Sequence, residues 1–210
     1  MTRQRNSSRT TRASPPGRLR IVAGKWRRRL VNIALVPGLR PTSERIRETL
    51  FNWLASQIHG KRCLDLFAGT GALGLEALSR GAASVTFVEK SRDAARMLRQ
   101  ACEELGADDV RVRCEDAYHY LCSGSDEHFD LVFLDPPFAD DSLADLCRLL
   151  TDHGRLSAGA QVYLEQEKSK APPDLPEGWV ITREKSAGNV RYSLIETPAR
   201  SGTRRTAQEK

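Results

Sequence analysis

From residue 61 onward the chain alternates between two kinds of pattern. Short apolar runs rich in β-branched and aromatic residues fall at 62–67, 84–89, 110–114, 129–134 and 160–166. Stretches of helical spacing at 72–80, 91–105, 116–122 and 141–151 separate them. Such alternation admits few folds. Parallel strands cannot be joined by tight turns, so each connection must cross over, and the crossing helices cover both faces of the sheet. Gly81 and Gly106 stand where helices would end on a left-handed residue. The last run, WVITREKSAGNVRYSLIE, breaks the rhythm: two strand-like halves flank Ala187-Gly188-Asn189, which reads as an antiparallel hairpin. The expectation is an α/β, Rossmann-like fold. Its sheet is mostly parallel and seven-stranded, with a C-terminal antiparallel hairpin closing it.

The remainder of the chain has a different composition. Residues 1–17 carry four arginines and no acid, are rich in Ser and Pro, and predict a disordered tail. Residues 18–60 predict a small hairpin or extended arm over 19–33, then a helix capped by Thr42 or Ser43 with Ile46, Leu50, Trp53 and Leu54 on one stripe. Residues 61–197 form the α/β unit, and 198–210 a second basic tail. Charge divides along the same lines: +8 over 18–47 and +3 over 198–210, against −9 over 48–197. An acidic globule with basic ends points to a polyanionic partner. No run of about 18 apolar residues exists, so no membrane span is expected. The Arg-rich N-terminus lacks the apolar core of a secretory signal, and a cytoplasmic location is expected. Five cysteines without a CxxC pair and four scattered histidines predict neither a disulfide framework nor a metal site.

The segment CLDLFAGTGALGLEAL runs from the first strand into a helix. Gly69, Gly71 and Gly74 fit G-x-G-x-x-G, and Glu89 ends the next strand, where it would meet ribose hydroxyls. Any adenosine cofactor suits that pattern, nicotinamide and flavin included. Asp65 shifts the balance. It precedes the loop, where a carboxylate would repel a pyrophosphate but attract the ammonium and sulfonium of S-adenosylmethionine. Asp116, after the third strand, would either bond an adenine amino group or cap the helix over 117–122.

The fourth strand, FDLVFL, stops at Asp135-Pro136-Pro137-Phe138. In open parallel sheets ligands lie beyond the carboxyl ends of strands, near the switch in strand order. A nucleobase amine is a poor nucleophile because its lone pair is delocalised. The Asp135 carboxylate and the Pro136 carbonyl would accept its two N–H bonds, the prolines would stiffen the acceptors, and Phe138 would stack on the flipped base. Attack on a sulfonium methyl then needs chiefly alignment and exclusion of water.

Taken together, RIVAGKWR, GLRPTSERIRETLFNWL, LDLFAGTGALGLEALSRGA and LDPPF resemble the RsmD family, bacterial 16S rRNA guanine-N2 methyltransferases, over about residues 19–196. The resemblance implies a class I S-adenosylmethionine-dependent methyltransferase fold. It also implies S-adenosylmethionine as donor and, as target, a guanosine of 16S rRNA in the assembled or assembling small ribosomal subunit. It places Asp65, Ala68, Gly69 and Gly71 at the methionine end of the donor, Glu89 at the ribose, and Asp116 with Ala117 at the adenine. Asp135, Pro136 and Phe138 would hold the target base, and Thr42, Arg45 and Glu48 would face the ligands. One departure is visible: Arg28 stands where relatives often carry glycine, which argues against a tight turn there. A monomer is expected.

The basic arm fits an RNA partner. Arg20, Lys25, Arg27, Arg28, Arg29 and Arg40 would neutralise phosphates, while Trp26 would either pack on a sugar or base or close the core of the small hairpin. Read from residues alone, the elbow serves an adenine-N6 methyltransferase of DNA or RNA as well, although no target-recognition domain is evident. A nicotinamide-dependent reductase would need a hydride-site acid or a Tyr-Lys pair, and none is found. A non-catalytic RNA-binding module leaves Asp65 and Asp135 without a purpose.

Overall fold

The computed structural model describes residues 17–33, 42–138 and 140–199. Arg40, placed in the basic arm, lies outside them, as do nearly all of the two tails.

The central sheet has seven strands in the order β5-β4-β3-β6-β7-β9-β8. Strands β3 (Arg62–Asp65), β4 (Ser84–Val88), β5 (Val110–Arg113), β6 (Phe129–Leu134) and β7 (Leu156–Glu167) run parallel. Strand β9 (Val190–Glu196) is antiparallel to β7 and to β8 (Val180–Ala187), joined to β8 by Gly188 and Asn189. The chain moves from β3 outward to β5, then crosses to β6 on the other side of β3, so the order reverses between β3 and β6. In open parallel sheets such a reversal marks where ligands lie, beyond the carboxyl ends of the two flanking strands.

Alternation along the parallel strands sorts side chains into two cores. Cys63, Val85, Phe87, Leu131 and Phe133 face α1 (Glu44–Trp53), α2 (Ala72–Ser79) and α3 (Arg92–Leu105). Leu64, Val88, Val132 and Leu134 face α4 (Ala117–Cys122) and α5 (Leu143–Asp152). Helices α2 and α3 end as their glycines predict. Gly81 (φ +100) and Gly106 (φ +61) are left-handed, and each following amide closes back, Ala82 onto Ala77 and Ala107 onto Cys102. On the other face Arg155, fully buried, donates to the carbonyls of Tyr120, Leu121, Ser123 and Ser125 and so stops α4.

The basic arm is a two-stranded ribbon, β1 (Gly17–Arg20) against β2 (Leu30–Ile33), with Leu19, Val31 and Ile33 turned into the core. Its bend is bolted to α2. Glu76, fully buried, accepts the amides of Val22 (2.8 Å) and Ala23 (3.0 Å), Arg80 Nε (2.8 Å) and Arg47 Nη1 (3.4 Å). The Ser79 carbonyl takes the Lys25 amide at 2.6 Å, and Ser79 Oγ takes the Trp26 amide at 3.0 Å. Trp26 is 5 % exposed and closes the core, which leaves no face for stacking on RNA. Arg28 does make a tight turn, at φ +69, against the expectation from its missing glycine. Its amide bonds the Ile21 carbonyl at 2.8 Å, and the anchored loop holds the strain.

Two glycine exchanges should move stability in opposite directions. Gly24 sits at φ +82, and a Cβ there would lie 1.8 Å from the Ser79 carbonyl oxygen. Gly24→Ala should cost about 3 kcal/mol, while Arg28→Gly should add up to about 1 kcal/mol. Urea denaturation of both variants measures the pair.

Candidate active site

Four carboxylates meet at the carboxyl ends of adjacent strands. Asp65, the last residue of β3, pairs in register with Phe87 of β4 and Phe133 of β6. Two residues farther along those strands stand Glu89 and Asp135. Leu134 pairs with Leu164, which brings Glu165 of β7 beside Asp135. Even spacing places all four on the face covered by α1, α2 and α3. Among the described residues none of them pairs with Lys, Arg or His.

Backbone amides organise two of them. Asp65 Oδ2 accepts the Gly74 amide at 3.0 Å, capping α2 from across the loop. Glu89 takes the Gly69 amide on one oxygen (2.8 Å) and the Ser91 amide on the other (2.7 Å), tying the glycine loop to the start of α3. Gly69 (φ +52) and Gly71 (φ +77) make the turn. Gly74 serves packing instead, since a Cβ there would lie 2.2 Å from the Phe87 ring. Ala68 is buried and its amide bonds the Val88 carbonyl at 3.0 Å.

The other two form a close pair. Thr42, just before the Ser43 cap of α1, donates to Asp135 Oδ2 at 3.2 Å. Tyr163 donates to Glu165 Oε1 at 2.8 Å. Asp135 is half-buried, Pro136 buried, and the Phe138 ring 36 % exposed. Beside this elbow, on the β7 side, lies a cavity of about 430 Å³ lined by Pro136, Pro137, Phe138, Leu143, Glu165 and Gln166.

Crowding of acids away from water raises their pKa values. Burial pushes Asp65 up to about 7, partly offset by the Gly74 amide and reinforced by the charges of Asp135 and Glu89. Burial lifts Asp135 to about 6 against the Thr42 hydrogen bond. Burial and then the Asp135 charge lift Glu165 to about 8. Each folded value lies above the ordinary one, so each acid favours folding at low pH. That contribution is lost as pH rises through about 6 to 8. A cation held against the cluster would reverse the loss. The site therefore suits the positive end of an amino acid far better than a phosphate.

The other predicted residues are placed as follows. Ala117 is buried at the start of α4. Asp116 caps that helix, its Oδ1 accepting the amides of Tyr118 and His119, with Oδ2 free of that bond. Arg45 and Glu48 are exposed on α1, and of that segment Thr42 alone bonds a member of the cluster. Arg20, Lys25, Arg27, Arg28 and Arg29 are exposed, but the bend that carries most of them sits at the far end of α2 from the glycine loop. Arg29 also bonds the Glu104 carbonyl at 3.0 Å. Glu165 and Tyr163 are additions that sequence reading missed. Their signal was present in QVYLEQE, an acid at the end of a doubly covered strand, next in the sheet to the one carrying the elbow.

Among the described residues no His, Cys, Asp and Glu group could hold a metal, the five cysteines are free, and no helix is long and apolar enough to cross a membrane.

A glycine turn capped by one carboxylate, and an Asp-Pro-Pro-Phe elbow on the adjacent strand across the switch in order, define a methyltransferase on a Rossmann-like platform. Residues 19–196 match the family model described as conserved hypothetical protein 95. Ribosomal RNA small subunit methyltransferase D of Escherichia coli K12 is 44 % identical over 89 % of this chain and 93 % of its own length. The protein of the same description from Haemophilus influenzae is 42 % identical, covering 86 % of this chain and 94 % of its own. The solved structure of the putative methyltransferase yhhF from Escherichia coli superposes with a TM-score of 0.80 at 43 % identity, over 88 % of this chain and all of that one. The chain belongs to the ribosomal RNA small subunit methyltransferase D family.

If the cationic amino group of S-adenosylhomocysteine meets Asp65, as the sequence leads one to expect, binding should release about one proton at pH 6 and little at pH 8.5, because a cation there favours the ionised carboxylate. Calorimetry in buffers of differing ionisation heat measures the release, and Asp65→Asn should remove it.

Proposed function

We propose that this chain transfers a methyl group from S-adenosylmethionine to the exocyclic N2 of one guanosine of 16S rRNA, in the assembled or assembling small ribosomal subunit. It would do so as a monomer in the cytoplasm. The observation that carries this reading is the adjacency of Asp65 and the Asp135 elbow, on neighbouring strands and on the same face. Asp65 meets the donor's ammonium, and Glu89 has lone pairs left for ribose hydroxyls beside the bonds it already makes. Asp116, through its remaining oxygen, and Ala117 meet the adenine. The donor supplies a methyl on a positive sulfur, which makes it transferable without a metal.

The residues of this chain prepare the nucleophile. The Asp135 carboxylate and the Pro136 carbonyl accept the two N–H bonds of the amine and turn its lone pair out of conjugation, toward the methyl. Thr42 holds Asp135 for this. Phe138, exposed at the mouth of the elbow, stacks on the everted base. As the new N–C bond forms and the C–S bond breaks, the nitrogen sheds one proton, which Asp135 can receive. An adenine amine would satisfy the same two acceptors. Guanine is supported by membership of the family together with the resemblance of the four sequence stretches. The exposed cations of the ribbon bend supply affinity for the RNA backbone and leave the chemical step alone.

Two measurements test this reading. Asp135→Ala should lower single-turnover methylation of small-subunit particles at least about 1,000-fold while S-adenosylhomocysteine affinity changes less than about threefold. Turnover at the wild-type rate would remove Asp135 from the mechanism. Replacing Lys25, Arg27 and Arg28 together by alanine should flatten the plot of log affinity for the particle against log salt by about 2, with the rate at saturation kept.

A further inference from the structure

We propose that Glu165 selects guanine over other purines that carry an amine, by accepting the ring N1–H next to the reacting N2. This rests on the guanine-N2 reading above. Guanine shows two kinds of donor side by side on one edge, the exocyclic amine and N1–H. Adenine shows an amine beside a bare ring lone pair. A site for the guanine edge therefore needs a second acceptor next to the one that holds the amine.

Glu165 is placed as that acceptor. Register puts it beside Asp135 on the neighbouring parallel strand. It is 3 % exposed yet lines the same cavity as Pro136 and Phe138. The Tyr163 hydroxyl occupies Oε1. The Tyr163 ring is itself wedged between Phe133 and Tyr192, at 6.3 and 6.4 Å between centroids, so the carboxyl cannot swing away. Tyr163 gives nothing to Oε2, and the neighbouring Thr42 hydroxyl has one proton, which it gives to Asp135, so Oε2 is left for the ring. The opposite wall is held as well. The Gln166 amide donates to the carbonyls of Lys170 (3.4 Å) and Ala171 (3.2 Å), fixing the segment that closes the cavity. Its volume of about 430 Å³ accommodates a purine nucleoside. A ring N1–H donor favours the ionised carboxylate. A bare N1 is met only by the protonated carboxyl, the form that Glu165 gives up once the donor's positive charge lies against the cluster, and the ionised group is then left buried and unpaired.

The test uses 2-aminopurine, which keeps the 2-amino group and lacks N1–H. Small-subunit particles are reconstituted with 16S rRNA in which the nucleotide that becomes methylated is guanosine or 2-aminopurine. At saturating S-adenosylmethionine, whose charge favours the ionised carboxylate, wild-type protein should prefer guanosine by at least about 10-fold in kcat/KM. Glu165→Ala should lower the guanosine rate and leave the 2-aminopurine rate, bringing the ratio near one. Glu165→Gln keeps the Tyr163 bond and offers an amide N–H to the ring nitrogen, so it should favour 2-aminopurine. Parallel losses on both substrates in both variants, or an undisturbed wild-type ratio, would overturn the role of Glu165. Failure of wild-type protein to methylate guanosine at all would overturn the guanine-N2 reading instead.

Discussion

Like charges gathered out of water dominate this structure. Parallel strands all deliver their carboxyl ends to one edge, and four of those ends carry an acid on one face. In the free protein the cluster is held together by amides, by two hydroxyls and by retained protons. Such a site is costly to fold and selective once folded, because what relieves it is positive charge or a row of N–H donors. In the function proposed above, the methyl donor offers the first and the target base the second. That proposal divides the labour along the sheet: the β3 and β4 side for the cation, the β6 and β7 side for the donors.

Glu76 is a useful contrast. It is an acid as buried as any in the cluster, yet two guanidinium groups and two backbone amides satisfy it. Its purpose is to fix the basic ribbon to α2. Buried acids therefore play two roles in this chain. Their partners, rather than their burial, tell the roles apart.

The fold and half of the site were legible in the sequence for a common reason: they rest on local spacing. Strand and helix periods, the helix-ending glycines, Asp65 before its loop and Asp135 before its prolines all lie within a few residues of what gives them meaning. What stayed hidden rests on contacts between distant segments. Glu76 meets the Val22 amide across 54 positions, and Asp135 meets Thr42 across 93. Glu165 becomes meaningful once the β6 and β7 register is fixed, which a two-residue period leaves open. Arg28 shows the opposite error. A missing glycine suggests a missing turn, but an anchored loop holds an ordinary residue in a left-handed conformation.

The docking of the ribbon bend at the end of α2 has a geometric implication. Helix α2 has eight residues, about 12 Å of axis, and separates the cations of the bend from the glycine turn. A lone nucleotide held above the glycine turn cannot touch both. On the proposed reading, RNA flanking the target must cover that interval as well, which makes the bend a gauge of how the target's surroundings are laid out.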